Sequence, residues 1–266
     1  MSVLTLLGHL WRRHRLALLC LTAGGALFQW AITRVVPTGA QTGFVRQLFD
    51  MAPAPVRVLF GEEMVANLSA RGFLGFGYVH PFALLILAAW GVRVATGALA
   101  GEVGRGTMDL VASRPVSRWA QVAAAAVAIL VGLAVMAAAS WAGTAAGLRT
   151  RPLEGVVALD FAPVAAMGLM LFACWGAVAL LVSAVLRDGG AAISWCSGLM
   201  AVSYVLDYLG RVWTAIAFLR PLSLFRYYEP HRILRDGVAA SDMTVLSAVG
   251  VVALVAAFVA FARRDL

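Results

Sequence analysis

The chain has 266 residues, 62% of them hydrophobic and only 13% charged, with a mean hydropathy of +0.88. A soluble domain carries roughly 25% charged residues, so the deficit excludes an ordinary water-facing surface and points to one that faces lipid. All 21 basic residues are arginine, which excludes a P-loop, whose lysine holds phosphate, and excludes Schiff-base chemistry as well.

The net charge of +8 is scattered between apolar stretches rather than gathered on one face. Anionic headgroups and partner proteins are therefore the expected counter-charges, not nucleic acid. The first element is expected over residues 1–15. Val3, Leu6, Leu7, Leu10 and Trp11 share one helical face, with Thr5, His9, Arg12 and Arg13 elsewhere, the pattern of an amphipathic helix lying in the membrane interface. The cluster Arg12-Arg13-His14-Arg15 then abuts an apolar run. A cleaved signal peptide would place its charges first and a small-residue site after the run, so a retained span is expected.

A hydrocarbon core about 30 Å thick needs roughly 20 apolar residues in helix. Six stretches qualify: about 16–36, 79–100, 119–147, 160–186, 190–210 and 244–262. The fold class is thus all-α, a polytopic membrane protein of six transmembrane helices preceded by the interfacial helix. Gly97 and Gly101, and Gly143 and Gly147, give small-xxx-small spacings that permit close helix contact; tolerated membrane glycines are the plainer alternative. Cys20, Cys174 and Cys196 fall inside apolar runs and read as inert core thiols rather than disulfides or metal ligands. Arg93, two turns before the end of the second span, either snorkels or faces a cavity. Gln29 is a weak candidate for lining a pathway, and Arg34 snorkels at a span end. Asp207 and Arg211, spaced i,i+4, read as a structural pair.

Arginines are about as frequent in the segments expected outside as in those expected inside, so a raw count does not orient the chain. The charges abutting span ends, at 12–15 and 263–264, favour both ends in the cytoplasm. The connections 37–78 and 211–243 exceed what a hairpin needs. Phe73, Phe76 and Tyr78 mark the first as interfacial at its end. Phe225, Tyr227, Tyr228 and Pro230 mark the second as short interfacial or re-entrant helices, with aromatic anchors on ordinary loops the alternative.

Between spans two and three runs Gly101-Glu102-Val103-Gly104-Arg105-Gly106-Thr107-Met108-Asp109-Leu110-Val111-Ala112-Ser113-Arg114-Pro115-Val116-Ser117-Arg118. The glycines end the apolar helix. Thr107 can cap a short helix, with Asp109 well placed at its N-terminal dipole. Arg114-Pro115 breaks that helix, and Ser117 can cap the next span. A short charged helix held between two membrane helices suits docking to another protein; an ordinary solvated loop is the plain alternative.

Glu102, Gly106-Thr107, Leu110 and Arg114-Pro115-Val116-Ser117-Arg118 resemble the loop of the type-2 ABC exporter permeases. The ending Phe261-Ala262-Arg263-Arg264-Asp265-Leu266 is similar to that family's terminus, as are Pro221-Leu222-Ser223 and Tyr227-Tyr228-Glu229-Pro230. Gln121-Val122-Ala123 departs from the lysine often found just inside span three. The resemblance implies one permease domain over 1–266 that forms a substrate path. It implies pairing with a second permease subunit, as homodimer or heterodimer, and with a separate ABC ATP-binding subunit. The segment holding Glu102, Gly106, Thr107, Met108, Asp109, Arg114, Pro115, Ser117 and Arg118 would then couple to that ATPase, which would bind ATP and Mg; this chain would bind no cofactor or metal itself. It also implies an integral protein of the cytoplasmic membrane.

Two rival classes fit the residues less well. A secondary transporter would show repeat symmetry or midplane acids, and neither is visible in the sequence. An intramembrane protease would need a motif that is absent: Glu62-Glu63 lacks the arginine of an EExxxR pattern, with Asn67 in its place. None of His9, His14, His80 and His231 forms HExxH, and Trp195-Cys196-Ser197-Gly198 is not a GxSx site.

Overall fold

The computed structural model describes residues 3–36, 69–104 and 117–264, with single residues at 47, 51 and 53. The described residues contain no strand, and six of their helices or helix pairs are long and apolar enough to cross a membrane. In chain order the helices are α1 (Val3–Val35), α2 (Ala70–Val79), α3 (Pro81–Ala98), α4 (Ala100–Gly104), α5 (Arg118–Thr150), α6 (Ala162–Val185), α7 (Gly189–Val212), α8 (Pro230–Asp236) and α9 (Ala240–Ala262). Short 3-10 helices cover Ala158–Phe161, Thr214–Leu222 and Leu224–Tyr227. With this composition and these six helices, the chain is an integral membrane protein.

The helix ends are set by side chains that satisfy orphan backbone N–H groups. Ser69 Oγ accepts from Gly72 N at 3.1 Å, Ser117 Oγ from Ala120 N at 3.1 Å, and Asp188 Oδ1 from Ala191 N at 2.7 Å. His80 Nδ1 accepts from Phe82 N at 3.2 Å and precedes Pro81 at the first turn of α3, where the fixed proline φ suits a helix start. The same proline divides α2 from α3, so the second span begins at Ala70, earlier than expected. Phe73, Phe76 and Tyr78 are helical and not part of a loop. Gly237, at φ 83°, closes α8, a conformation that a Cβ would oppose.

The amphipathic segment at 1–15 is not a separate interfacial helix: from Val3 onward it is continuous with the first span through Val35. No proline interrupts the run, and arginine is a good helix former, so nothing in the sequence breaks the helix at residue 15. At 1.5 Å per residue its length is roughly 50 Å, well beyond the hydrocarbon core, and α5 is equally long. The 211–243 connection folds into the short helices expected of it.

α6 is the central helix. Two thirds of its most apolar window is buried (67%), against 22% for α1, α7 and α9. α1 lies along α5, where a Cβ at Gly143 would run into Ala26 O and one at Gly147 into the Thr33 side chain. The backbones therefore meet directly, and dispersion between close helices replaces the hydrophobic drive that lipid cannot supply. Trp90, 1% exposed, occupies the space over Gly132 and donates from Nε1 to Ile129 O at 3.2 Å. Where α3 breaks before α4, Ser183 Oγ donates to Ala95 O at 2.9 Å and accepts from Ala100 N at 3.0 Å. Cys174 and Cys196 are buried, but Cys20 is exposed on the outer face of α1.

The contacts sort the molecule into two ends. Arg13 reaches Glu102, a Cβ at Gly104 would lie 3.2 Å from Arg187 O, and Arg118 donates to Ala262 O at 3.1 Å. These residues form one end, called here the near end. At the other, far end Arg34 meets Thr150, and Tyr78 stacks on Phe161 with centroids 6.0 Å apart.

Candidate functional site

Two places combine charge with accessible space. The first is the near end, at the base of the segment expected to couple. α1 carries Arg13 to an ion pair with Glu102 on α4. This ties the helix that projects beyond the first span to the start of the 102–118 segment. Across from it, Ser117 caps α5. The next residue, Arg118, turns back to the end of α9 and donates from Nη1 to Ala262 O and Arg264 O. Arg264 in turn donates to Ala184 O at 3.2 Å and Leu186 O at 2.9 Å. Arginine suits this work, since its fork of donors can hold several helix-terminal carbonyls at once. Partial burial, then the neighbouring Arg187, lower the Arg264 pKa from its ordinary value.

Of the residues expected to couple, Glu102, Ser117 and Arg118 are thus placed at one end of the bundle. Gly106, Thr107, Met108, Asp109, Arg114 and Pro115 lie outside the described residues, as do Glu62 and Glu63.

The second place is a cavity of about 900 Å³ between α3 and α7, floored by Phe172 and Phe225. Its sides are apolar, with Leu84, Leu85, Ala89, Ile193 and Met200. At the near end it carries Arg13, His14, Arg93 and Asp188 among Gly97, Gly101, Gly104 and Gly189. The glycines open this mouth by letting backbones touch: a Cβ at Gly189 would lie 3.2 Å from Gly101 Cα. Arg93, open to either reading from sequence, faces the cavity and is exposed within it. Its Nε donates to His14 Nδ1 at 3.3 Å. Asp188 is engaged as the cap of α7.

Gln29 stands elsewhere. It is 2% exposed and borders a small void with Tyr78 and Tyr228 rather than the large cavity; its Oε1 has no hydrogen-bond partner among the described residues. Burial raises the Tyr228 pKa from its ordinary value, so the phenol stays neutral beside it.

The sequence reading missed how far the Asp207–Arg211 pair extends. Arg211 Nη2 lies 2.7 Å from Asp207 Oδ2 and 3.2 Å from Glu229 Oε1. Arg220 joins the same two acids at 3.2 and 3.0 Å. Arg232 continues to Glu229 at 3.8 Å and to Asp242. This ladder sews α7, the Thr214–Leu222 helix, α8 and α9 together at the far end. Asp207–Arg211 (i,i+4) and Glu229–Arg232 (i,i+3) carry a local spacing signal; the others are joined by folding of the 211–243 connection. His14 and Asp188, which complete the mouth of the cavity, were also missed as site residues. His14 was visible only as one member of a basic cluster.

No curated protein matches the chain. A family model described as ABC-2 family transporter protein matches residues 27–266, which takes in the end of α1, the five later spans and the near-end segment. The chain belongs to the ABC-2 transporter family and is a membrane permease of that family.

Proposed function

We propose that this chain is the membrane-spanning subunit of an ATP-driven exporter, coupled through residues 102–118 to a separate ATP-binding subunit. The observation that carries the reading is family membership over residues 27–266. The Arg13–Glu102 pair and the Arg118 clamp on α9 add a physical rationale. A docking segment transmits motion only if its base is held, and here both bases are tied to other helices. ATP and Mg would be held by the partner, since a lysine-free chain offers no P-loop. A second permease subunit, identical or related, would complete the path. The termini would be cytoplasmic, which puts the near end inside.

Co-purification tests the division of labour. The chain drawn from its native membrane in mild detergent should bring a P-loop ATPase whose activity changes when this chain is removed. The isolated chain should bind no ATP in equilibrium dialysis. Stoichiometric nucleotide binding by the chain alone would overturn the assignment.

A further inference from the structure

We propose that the α3–α7 cavity is a binding site for a slender amphipathic anion, its charged head on Arg93 at the near-end mouth and its apolar tail along α3 and α7. Three observations converge. Arg93 presents a permanent cation inside a helix that crosses the membrane, where an unneutralised charge is costly. Its hydrogen-bond partner does not neutralise it. A guanidinium Nε always donates, so His14 Nδ1 accepts with an uncharged lone pair at 3.3 Å. No carboxylate of the described residues forms an ion pair with Arg93; Asp188, on the cavity wall, caps α7 by accepting from Ala191 N at 2.7 Å and does not reach it. Arg13 adds a second guanidinium to the mouth, though Glu102 already answers it.

The rest of the cavity supplies the other half of the ligand's chemistry. From Pro81 to Arg93 the α3 wall is roughly 18 Å long at 1.5 Å per residue. It shows Leu84, Leu85, Ala88 and Ala89 to the space, with Ile193 and Met200 opposite. A free inorganic anion would leave that wall uncovered, and an uncharged lipid tail would leave Arg93 unanswered. A molecule with one anionic end and one narrow apolar chain answers both. Sites of this kind are mostly apolar with a few placed polar groups, and a phosphate or carboxylate matches the forked donors of arginine. Whether the bound molecule is cargo rests on the permease reading above; binding itself does not.

The full chain in phosphatidylcholine nanodiscs, titrated with dodecyl phosphate by calorimetry, tests the site. Saturable binding is expected, with none of inorganic phosphate and none of dodecyltrimethylammonium. Arg93→Gln should weaken it by about tenfold to a hundredfold, the range of one charge-assisted contact. Arg93→Lys, which keeps the charge, should hold affinity within a few-fold and guards against a folding defect in the first variant. Ala89→Trp fills the cavity without touching charge and should abolish binding. In nanodiscs containing phosphatidylglycerol, competition would identify a bilayer lipid as the natural ligand, and its absence a free amphiphile. Equal binding by wild type and Arg93→Gln, or preference for the cationic amphiphile, would overturn the proposal. So would an Ala89→Trp chain that binds normally but loses self-association, which would make the cavity a contact with a second copy. Binding that persists without any effect on the partner ATPase would leave the site standing and count against the permease coupling instead.

Discussion

At the far end of the bundle Asp160, Asp207, Glu229 and Asp242 each meet a guanidinium, and Arg34 and Arg151 turn onto Thr150 and the α1 carbonyls. At the near end only Glu102 forms such a pair among the described residues, while Arg12, Arg15, Arg187 and Arg263 form none there. Similar numbers of arginine thus do different work. Among the described residues most far-end arginines meet a carboxylate or a helix-end oxygen, while Arg12, Arg15, Arg187 and Arg263 leave positive charge at the near end. This difference explains why a count of arginines failed to orient the chain. The positive-inside bias acts on charge near span ends, and among the described residues the near end carries more of it without an ion pair.

The comparison is broken most completely by topology. In a background of Cys20→Ala, Cys174→Ala and Cys196→Ala, the single variants Gln47→Cys and Ala239→Cys should react with an impermeant maleimide added outside intact cells. Met108→Cys should react only after permeabilisation. The expected contrast is all or none, and outside labelling at residue 108 would place the near end outside.

Next in size is the far-end ladder. Asp207 is 6% exposed and answers both Arg211 and Arg220. Removing one partner of a buried pair costs about 3–5 kcal/mol, and the partial exposure of Arg211 argues for the lower end. Asp207→Ala should therefore lose about 3 kcal/mol, read as a marked fall in the thermal midpoint in detergent. Arg235→Ala, which breaks an exposed pair with Asp236, should shift the midpoint less. Equal shifts for the two would mean that the ladder is ornamental to the fold.

How much of this could be read from residues alone divides along the same line. Span number and order followed from apolar length, because a bilayer imposes one dimension on every helix. Gly143 and Gly147 announced their crossing by spacing, and the structure sets them on α1. Asp207–Arg211 was legible because i,i+4 places both on one helix face. The links from that pair to Arg220, Glu229, Arg232 and Asp242 were not, since the fold alone decides which irregular segment turns back onto α7. The continuity of α1 was misjudged because amphipathic composition describes where a segment sits, not whether the helix stops. The cavity left no sequence signal beyond Arg93, as its walls come from helices nearly one hundred residues apart in sequence (81–98 against 189–212).

The smallest expected stability effect belongs to the near end, where the functional effect should be greatest. Glu102 and Arg13 form a pair that is partly open to solvent, with side chains 19% and 33% exposed. Its loss should cost about 1 kcal/mol, less than a buried charge-assisted bond, and Glu102→Ala should fold and insert normally. Six packed spans tolerate that loss. A docking segment does not, because a base that gives way absorbs the movement it ought to transmit. Glu102→Ala and Pro115→Gly should thus lower transport and weaken stimulation of the partner ATPase at nearly unchanged thermal midpoint. Glu154→Ala, at an exposed far-end position, should alter neither. The exchange Arg13→Glu with Glu102→Arg restores the pair with its polarity reversed and separates two explanations. Recovery of ATPase stimulation in the double variant would show that the tie between α1 and the segment is what matters. Failure to recover, with both single variants impaired, would assign Glu102 to contact with the partner itself. Transport equal to wild type in Glu102→Ala would reduce the segment to a connector and remove the mechanical part of the coupling proposal.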